Sequence, residues 1–171
     1  PISGDETPLD NVFGLKQIVV GSFDPNDKTC LEGSVVSTSK IGDYLHYNIN
    51  FENTGTFPAT FVVVKDMIDT TKFDMSTLQV LNASHPMETR IAGNKVEFIF
   101  DAINLGPNQH GNVVFKIKTK ATLVEGNTVT NNANIYFDYN FPIETNTAST
   151  TFQVLSNGAF PTDSSIVIAP N

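Results

Sequence analysis

Two short segments of this chain concentrate oxygen donors. Asp24-Pro25-Asn26-Asp27 packs three side-chain donors into a single turn, and Asp138-Tyr139-Asn140 adds two more far downstream. Hard cations such as Ca2+ take roughly six to eight oxygens from carboxylates, amide carbonyls and backbone. In a β-sandwich the entry to an early strand and the exit of a late one can lie at the same end. Asp24, Asn26, Asp27, Asp138 and Asn140 are therefore candidate calcium ligands. The competing reading is that Asp24 and Asp27 accept from turn amides and that Asn140 caps a bend. The spacing is not that of an EF-hand loop, because Thr29 stands where the invariant glycine would be and Val35 where the closing glutamate would be.

A second constellation involves an amide. In Val129-Thr130-Asn131-Asn132-Ala133 the alternation puts Asn131 on the same face as Val129 and Ala133, so its carboxamide points inward. A buried amide without partners costs about 1–3 kcal/mol. One use for it is as the electrophile of an intramolecular Lys–Asn crosslink, with an acid beside it to move protons. Lys28 and Lys65 are the candidate nucleophiles, and Asp66 or Glu52 the candidate acid. Lys28 and Asn131 are the candidate crosslink pair. The plainer reading is an asparagine that fastens neighbouring backbone.

Enzymatic groupings are not evident. His46, His85 and His110 share no metal-ligand spacing, no serine sits in a nucleophile motif, and nothing singles out a carboxylate pair. Cys30 is the only cysteine, which rules out an internal disulfide, and no histidine lies near it in sequence to activate the thiol. No catalytic residue is assigned, and no cofactor other than calcium is suggested.

The elements that must position these residues are strands. In Tyr44–Phe51, Leu45, Tyr47, Ile49 and Phe51 share one face, while Tyr44, His46, Asn48 and Asn50 take the other. Leu15–Val20, Val35-Val36, Ala59–Met67, Thr77–Asn82, Glu88–Ile91, Lys95–Phe100, a segment around Val113–Ile117, a long strand over Val129–Phe137 and Thr145–Val154 complete the set, with at most one helical turn at Thr71–Ser76. About nine or ten regularly spaced strands predict an all-β, immunoglobulin-like antiparallel β-sandwich. Residues 1–17 read as a leading linker, 18–154 as the sandwich, and 155–171 as a linker running into the start of another domain.

Composition narrows the function classes. The net charge of −8 and only 10 Lys and Arg argue against nucleic acid and against docking on anionic lipid. No segment approaches the ~20 apolar residues of a membrane span. Charged residues make up 16% of the chain, below the usual share, and Asn and Thr fill the gap, as is common in extracellular β-proteins. The start at Pro1-Ile2-Ser3-Gly4 reads as that of a piece of a longer polypeptide.

Several ordered segments carry a family resemblance. They are Val20-Gly21-Ser22-Phe23-Asp24-Pro25-Asn26-Asp27-Lys28, Tyr47–Gly55, Ala83-Ser84-His85-Pro86, Phe115-Lys116-Ile117-Lys118 and Asn131-Asn132-Ala133-Asn134-Ile135-Tyr136-Phe137-Asp138-Tyr139-Asn140. Together they resemble a β-sandwich module of secreted Bacteroidetes proteins that precedes the C-terminal sorting domain of type IX secretion substrates. Ile168-Ala169-Pro170-Asn171 resembles the opening of such a sorting domain. The resemblance implies a non-catalytic spacer exported across the outer membrane to the cell surface. Its partners would be the neighbouring domains and, through the sorting domain, the secretion machinery. It also makes Thr70, in Asp69-Thr70-Thr71, a candidate O-glycosylation site. The alternative is a module that binds glycan or an adhesion target, with Tyr44, Tyr136 and Tyr139 as a stacking platform if they share one face.

Overall fold

A computed structural model describes residues 25–155. The expected strand at Leu15–Val20, Asp24 of the calcium set and the sorting-domain resemblance at 168–171 lie outside the described residues. The chain runs through β1 (Lys28–Cys30), β2 (Val35–Ser37), a 3-10 turn (Thr38–Lys40), β3 (Tyr44–Glu52), β4 (Val62–Met67), β5 (Phe73–Ala83), β6 (Glu88–Ala92), β7 (Lys95–Phe100), β8 (His110–Thr119), β9 (Thr128–Asn131), β10 (Ala133–Phe137), β11 (Ile143–Glu144) and β12 (Ala148–Gln153). The fold is all-β, as the alternation predicts, with twelve strands among the described residues rather than nine or ten.

Three hydrogen-bonded sheets form. One has the order β1-β3-β8-β5, the second β11-β10-β4-β7-β6, and the third β2-β12-β9. All pairings are antiparallel except β12 with β2. The two larger sheets face each other. Phe51 of β3 meets Phe100 of β7 at 5.0 Å between ring centroids and Phe137 of β10 at 6.4 Å, and Phe115 of β8 meets Phe98 of β7 at 5.4 Å. Every inward residue expected on β3, β7 and β8 is buried. Large aromatic area removed from water between two sheets is the main stabilising term here.

Two expectations are corrected. Thr71–Ser76 is not a helical turn. Asp69 accepts from the Thr71 amide and hydroxyl to make the turn, and β5 starts at Phe73, whose fully buried ring packs edge-on against Tyr47 at 6.1 Å. The anchoring of Phe73 in the core draws the segment into an edge strand. The pairing of that strand with β8 shifts register between Asp74 and Gln79 and again between Val80 and Asn82.

The single long strand expected over Val129–Phe137 is two. β9 pairs with β12, and β10 pairs with β4 and β11. The chain changes sheet at Asn132, yet the side-chain period of two continues through the change, so Val129, Asn131, Ala133, Ile135 and Phe137 all stay inward.

Gly111 of β8 lies opposite Phe51. A Cβ there would sit 2.6 Å from Phe51 Cε2 and 2.8 Å from Ser84 Oγ. Neither neighbour can retreat freely, since the Phe51 ring is wedged between Phe100 and Phe137 and Ser84 Oγ accepts from the Asn112 amide at 2.8 Å. Gly111→Ala is expected to lower unfolding free energy by about 1–3 kcal/mol through overpacking. Guanidinium denaturation checks this, and a midpoint unchanged from the parent protein would contradict it.

Candidate functional site

The most unusual chemistry in the fold is buried where the three sheets meet. β1 is only three residues long, but its pairing with β3, Lys28 opposite Ile49 and Cys30 opposite Tyr47, turns Lys28 and Cys30 inward. On β4 the alternation Val62, Val64, Asp66 turns Asp66 inward from the opposing sheet. Asn131, at the end of β9, enters from the third sheet. The Lys28 and Asp66 side chains are both 0% exposed. Lys28 Nζ donates to Asp66 Oδ2, and Asn131 Nδ2 donates to the same oxygen at 3.4 Å.

The surroundings hold Lys28 firmly. Asn146, in the loop before β12, accepts from the Lys28 amide at 2.8 Å and donates to its carbonyl at 3.0 Å. The stacked rings of Tyr47 and Phe115 flank the ammonium, with Nζ 5.2 and 5.3 Å from their centroids. Two polar atoms in this region, Asp66 Oδ1 and Tyr47 Oη, have no hydrogen-bond partner among the described residues.

Burial dominates the electrostatics. It pushes the Lys28 amine down from its ordinary value, against the opposing pull of Asp66. It pushes the Asp66 carboxyl up, against the pull of Lys28 and Asn131. Both directions favour moving the proton from nitrogen to oxygen, which turns an ion pair into a neutral amine beside a neutral acid. A buried ion pair is weak evidence for stability, because desolvation of two charges offsets their attraction. This cluster therefore calls for a reason other than stability.

The alternative residues fall elsewhere. Lys65 points outward from β4 over the Tyr136 ring at 5.3 Å, and Glu52 is half-buried at the far end of β3. Of the calcium set, Asp27 accepts from Thr29 and from Asn50 Nδ2 at 2.6 Å, and Asn26 accepts from the Glu52 amide at 3.2 Å. Asp138, at φ 53°, accepts from the amides of Thr60 and Phe61, and Asn140 donates to the Phe137 carbonyl. Asn140 thus caps its bend, while Asn26 and Asp27 tie their segment to β3 and Asp138 ties the end of β10 to the segment before β4. Among the described residues no three His, Cys, Asp or Glu side chains are grouped to hold a metal ion.

Thr70 is exposed beside the Asp69 turn. Cys30 has a partner that sequence proximity to histidine does not reveal. Its thiol donates to Glu32 at 3.4 Å, and Glu32 in turn meets His46 Nδ1 at 2.5 Å. Burial pushes the Cys30 thiol up, which keeps it protonated and unreactive.

The three tyrosines do not share a face. Tyr44 lies on the outer side of β3 with Lys116 and Lys118 against its ring. Tyr136 and Tyr139 lie on the outer side of the opposing sheet, where they line a groove of about 340 Å³ with Phe61, Lys65 and Glu97. Tyr139 is 96% exposed and packs edge-on to Phe61 at 5.3 Å. Among the described residues no helix is long and apolar enough to cross a membrane.

The profile of a family described as a domain of unknown function, DUF7619, matches residues 24–151. No curated protein matches the sequence. Among solved structures the fold is similar to BcpA, the major pilin subunit of Bacillus cereus (TM-score 0.54, 17% identity, 74% of this chain and 39% of that one). It is also similar to domains D2 and D3 of the major pilin SpaD from Corynebacterium diphtheriae (0.52, 17%, 74% and 52%). A third is the N-terminal domain of the Streptococcus gordonii adhesin Sgo0707 (0.53, 16%, 77% and 33%). The chain thus spans from a third to about half the length of these proteins, and at such identities the likeness is one of fold.

Proposed function

We propose that this chain, which belongs to the DUF7619 family, is a non-catalytic structural module of a larger bacterial cell-surface protein, a stiff β-sandwich that spaces and bears load between neighbouring domains. The observation that carries the reading is the architecture. Two facing sheets with an aromatic core are closed by a third sheet that joins an early strand to the last one, in a fold shared with pilin and adhesin domains. The sequence segments that resemble modules beside type IX sorting domains support a finer placement, next to a sorting signal on an exported Bacteroidetes protein. The partners are then adjacent domains and the secretion machinery that reads the signal.

A second reading has its own observation. The groove of Phe61, Tyr136 and Tyr139 offers aromatic faces between Lys65 and Glu97, the kind of surface on which a sugar ring stacks. One experiment separates the two. Residues 24–151 of the full-length protein are replaced in its own cell by an unrelated β-sandwich of similar length. A spacer predicts normal export and display. Normal display with lost adhesion, reproduced by Tyr139→Ala in the native module, would favour binding instead. Lost display with the replacement would contradict a role as mere spacer.

A further inference from the structure

We propose that Lys28 and Asn131 join through an isopeptide bond, formed within the folded chain with Asp66 as proton carrier. Three observations converge on it. A lysine, a carboxyl and a carboxamide, each from a different sheet, are buried together, and two of them meet on a single oxygen of the third. The site is shielded by Tyr47 and Phe115. Asp66 Oδ1 is left without a partner among the described residues, in a place where an unmet polar atom is costly. A cluster serving only as an ion pair would leave that oxygen unexplained.

The chemistry balances without an outside reagent. Lys28 gives a proton to Asp66, and the neutral amine attacks Asn131 Cγ, forming the new C–N bond. Asp66 protonates the carbonyl oxygen as the carbon becomes tetrahedral, then carries a proton from the attacking nitrogen to Nδ2. The old C–N bond breaks, ammonia leaves, and the tetrahedral hydroxyl returns its proton to Asp66 as the carbonyl re-forms. An ammonium, a carboxylate and a carboxamide have become a secondary amide, ammonia and a neutral carboxylic acid, and nothing is oxidised or reduced.

Burial favours the protonation states at the start and the end of this sequence. It favours the uncharged amine, which is the nucleophile, and the uncharged acid, which is the product state of Asp66. Fixed neighbours replace a bimolecular encounter. In the product, a protonated Asp66 donates to the new carbonyl with one oxygen and accepts from the new N–H with the other. Both of its oxygens, Oδ1 included, are then satisfied.

The bond would deepen the load-bearing reading, since it ties β1 directly to β9 and encloses residues 29–130, but its existence is tested separately from display. The whole chain is purified and its intact mass measured, then it is digested and sequenced by tandem mass spectrometry. The expected result is a mass short of the sequence by one ammonia, and a branched peptide joining Lys28 to Asn131. Asn131→Ala and Asp66→Asn should each show full mass. Circular dichroism reports whether each is folded, and Asn131→Ala, which keeps the Lys28–Asp66 pair, carries the comparison if Asp66→Asn is unfolded. A folded parent chain at full sequence mass overturns the proposal. So does a mass deficit without the branched peptide, which a succinimide at Asn157-Gly158 would produce. A folded Asp66→Asn that still forms the branched peptide overturns the role of Asp66.

Discussion

Asn131→Ala is expected to melt roughly 15–20 °C below the parent chain. The argument is one of chain topology. An isopeptide between Lys28 and Asn131 closes a loop of about the size for which a covalent crosslink removes ~4.7 kcal/mol of unfolded-state entropy. For a domain of this size, about 1 kcal/mol moves the midpoint by roughly 4 °C. Without the bond, the substitution deletes one long hydrogen bond and a few side-chain atoms, for which about 1–2 kcal/mol and a shift of roughly 5 °C are expected. The two cases are far enough apart for calorimetry to separate them. The double variant Asp66→Asn/Asn131→Ala adds a second criterion. If both single changes abolish the same bond, their effects are strongly sub-additive. A small drop for Asn131→Ala, or additive effects of the pair, would count against the crosslink.

Much of this geometry is legible in the sequence, for a simple reason. The period of two on β3, β7 and β8 sorts Leu45 from His46 and Phe115 from Lys116 without any tertiary information. The same rule finds Asn131, and it would also separate Lys65 from Asp66 once β4 is bounded, because adjacent residues of a strand face opposite ways. What alternation cannot supply is the partner of an inward residue.

Lys28 sits in a strand too short to show a period, directly after a turn rich in Asp and Asn. Only the ladder to β3, with Lys28 opposite Ile49, sets its direction. The change of sheet at Asn132 is invisible for the opposite reason, since the period runs on undisturbed while the hydrogen-bond partners change from β12 to β4. The tyrosine platform fails on topology as well. Tyr44 and Tyr136 are each outward by parity, but they stand on the outer sides of two facing sheets, which point away from one another. The part of the candidate site that local pattern could reach was which residues are inside; which of them meet is decided by strand order.

Strand order also decides how the module should respond to force, and the effect should be large. Pulled from its ends, a chain without the crosslink unravels over most of the folded region, Lys28–Gln153, and gains on the order of 400 Å at about 3.3–3.6 Å per residue. With Lys28 and Asn131 joined, tension entering at β1 crosses the new amide to β9 and bypasses residues 29–130. Only the segment after Asn131 can extend, which limits the gain to roughly 70 Å. Stretching single molecules between flanking reference domains should therefore give a short unfolding step for the parent chain and a long one for Asn131→Ala. A long step in both would mean that force passes through the sheets and not through a covalent strut. The contrast is sharp because β1 lies at one edge of its sheet and β9 at one edge of the third sheet, so the hydrogen bonds there can be peeled one at a time. A covalent link at those edges protects the places where a β-sandwich is otherwise weakest.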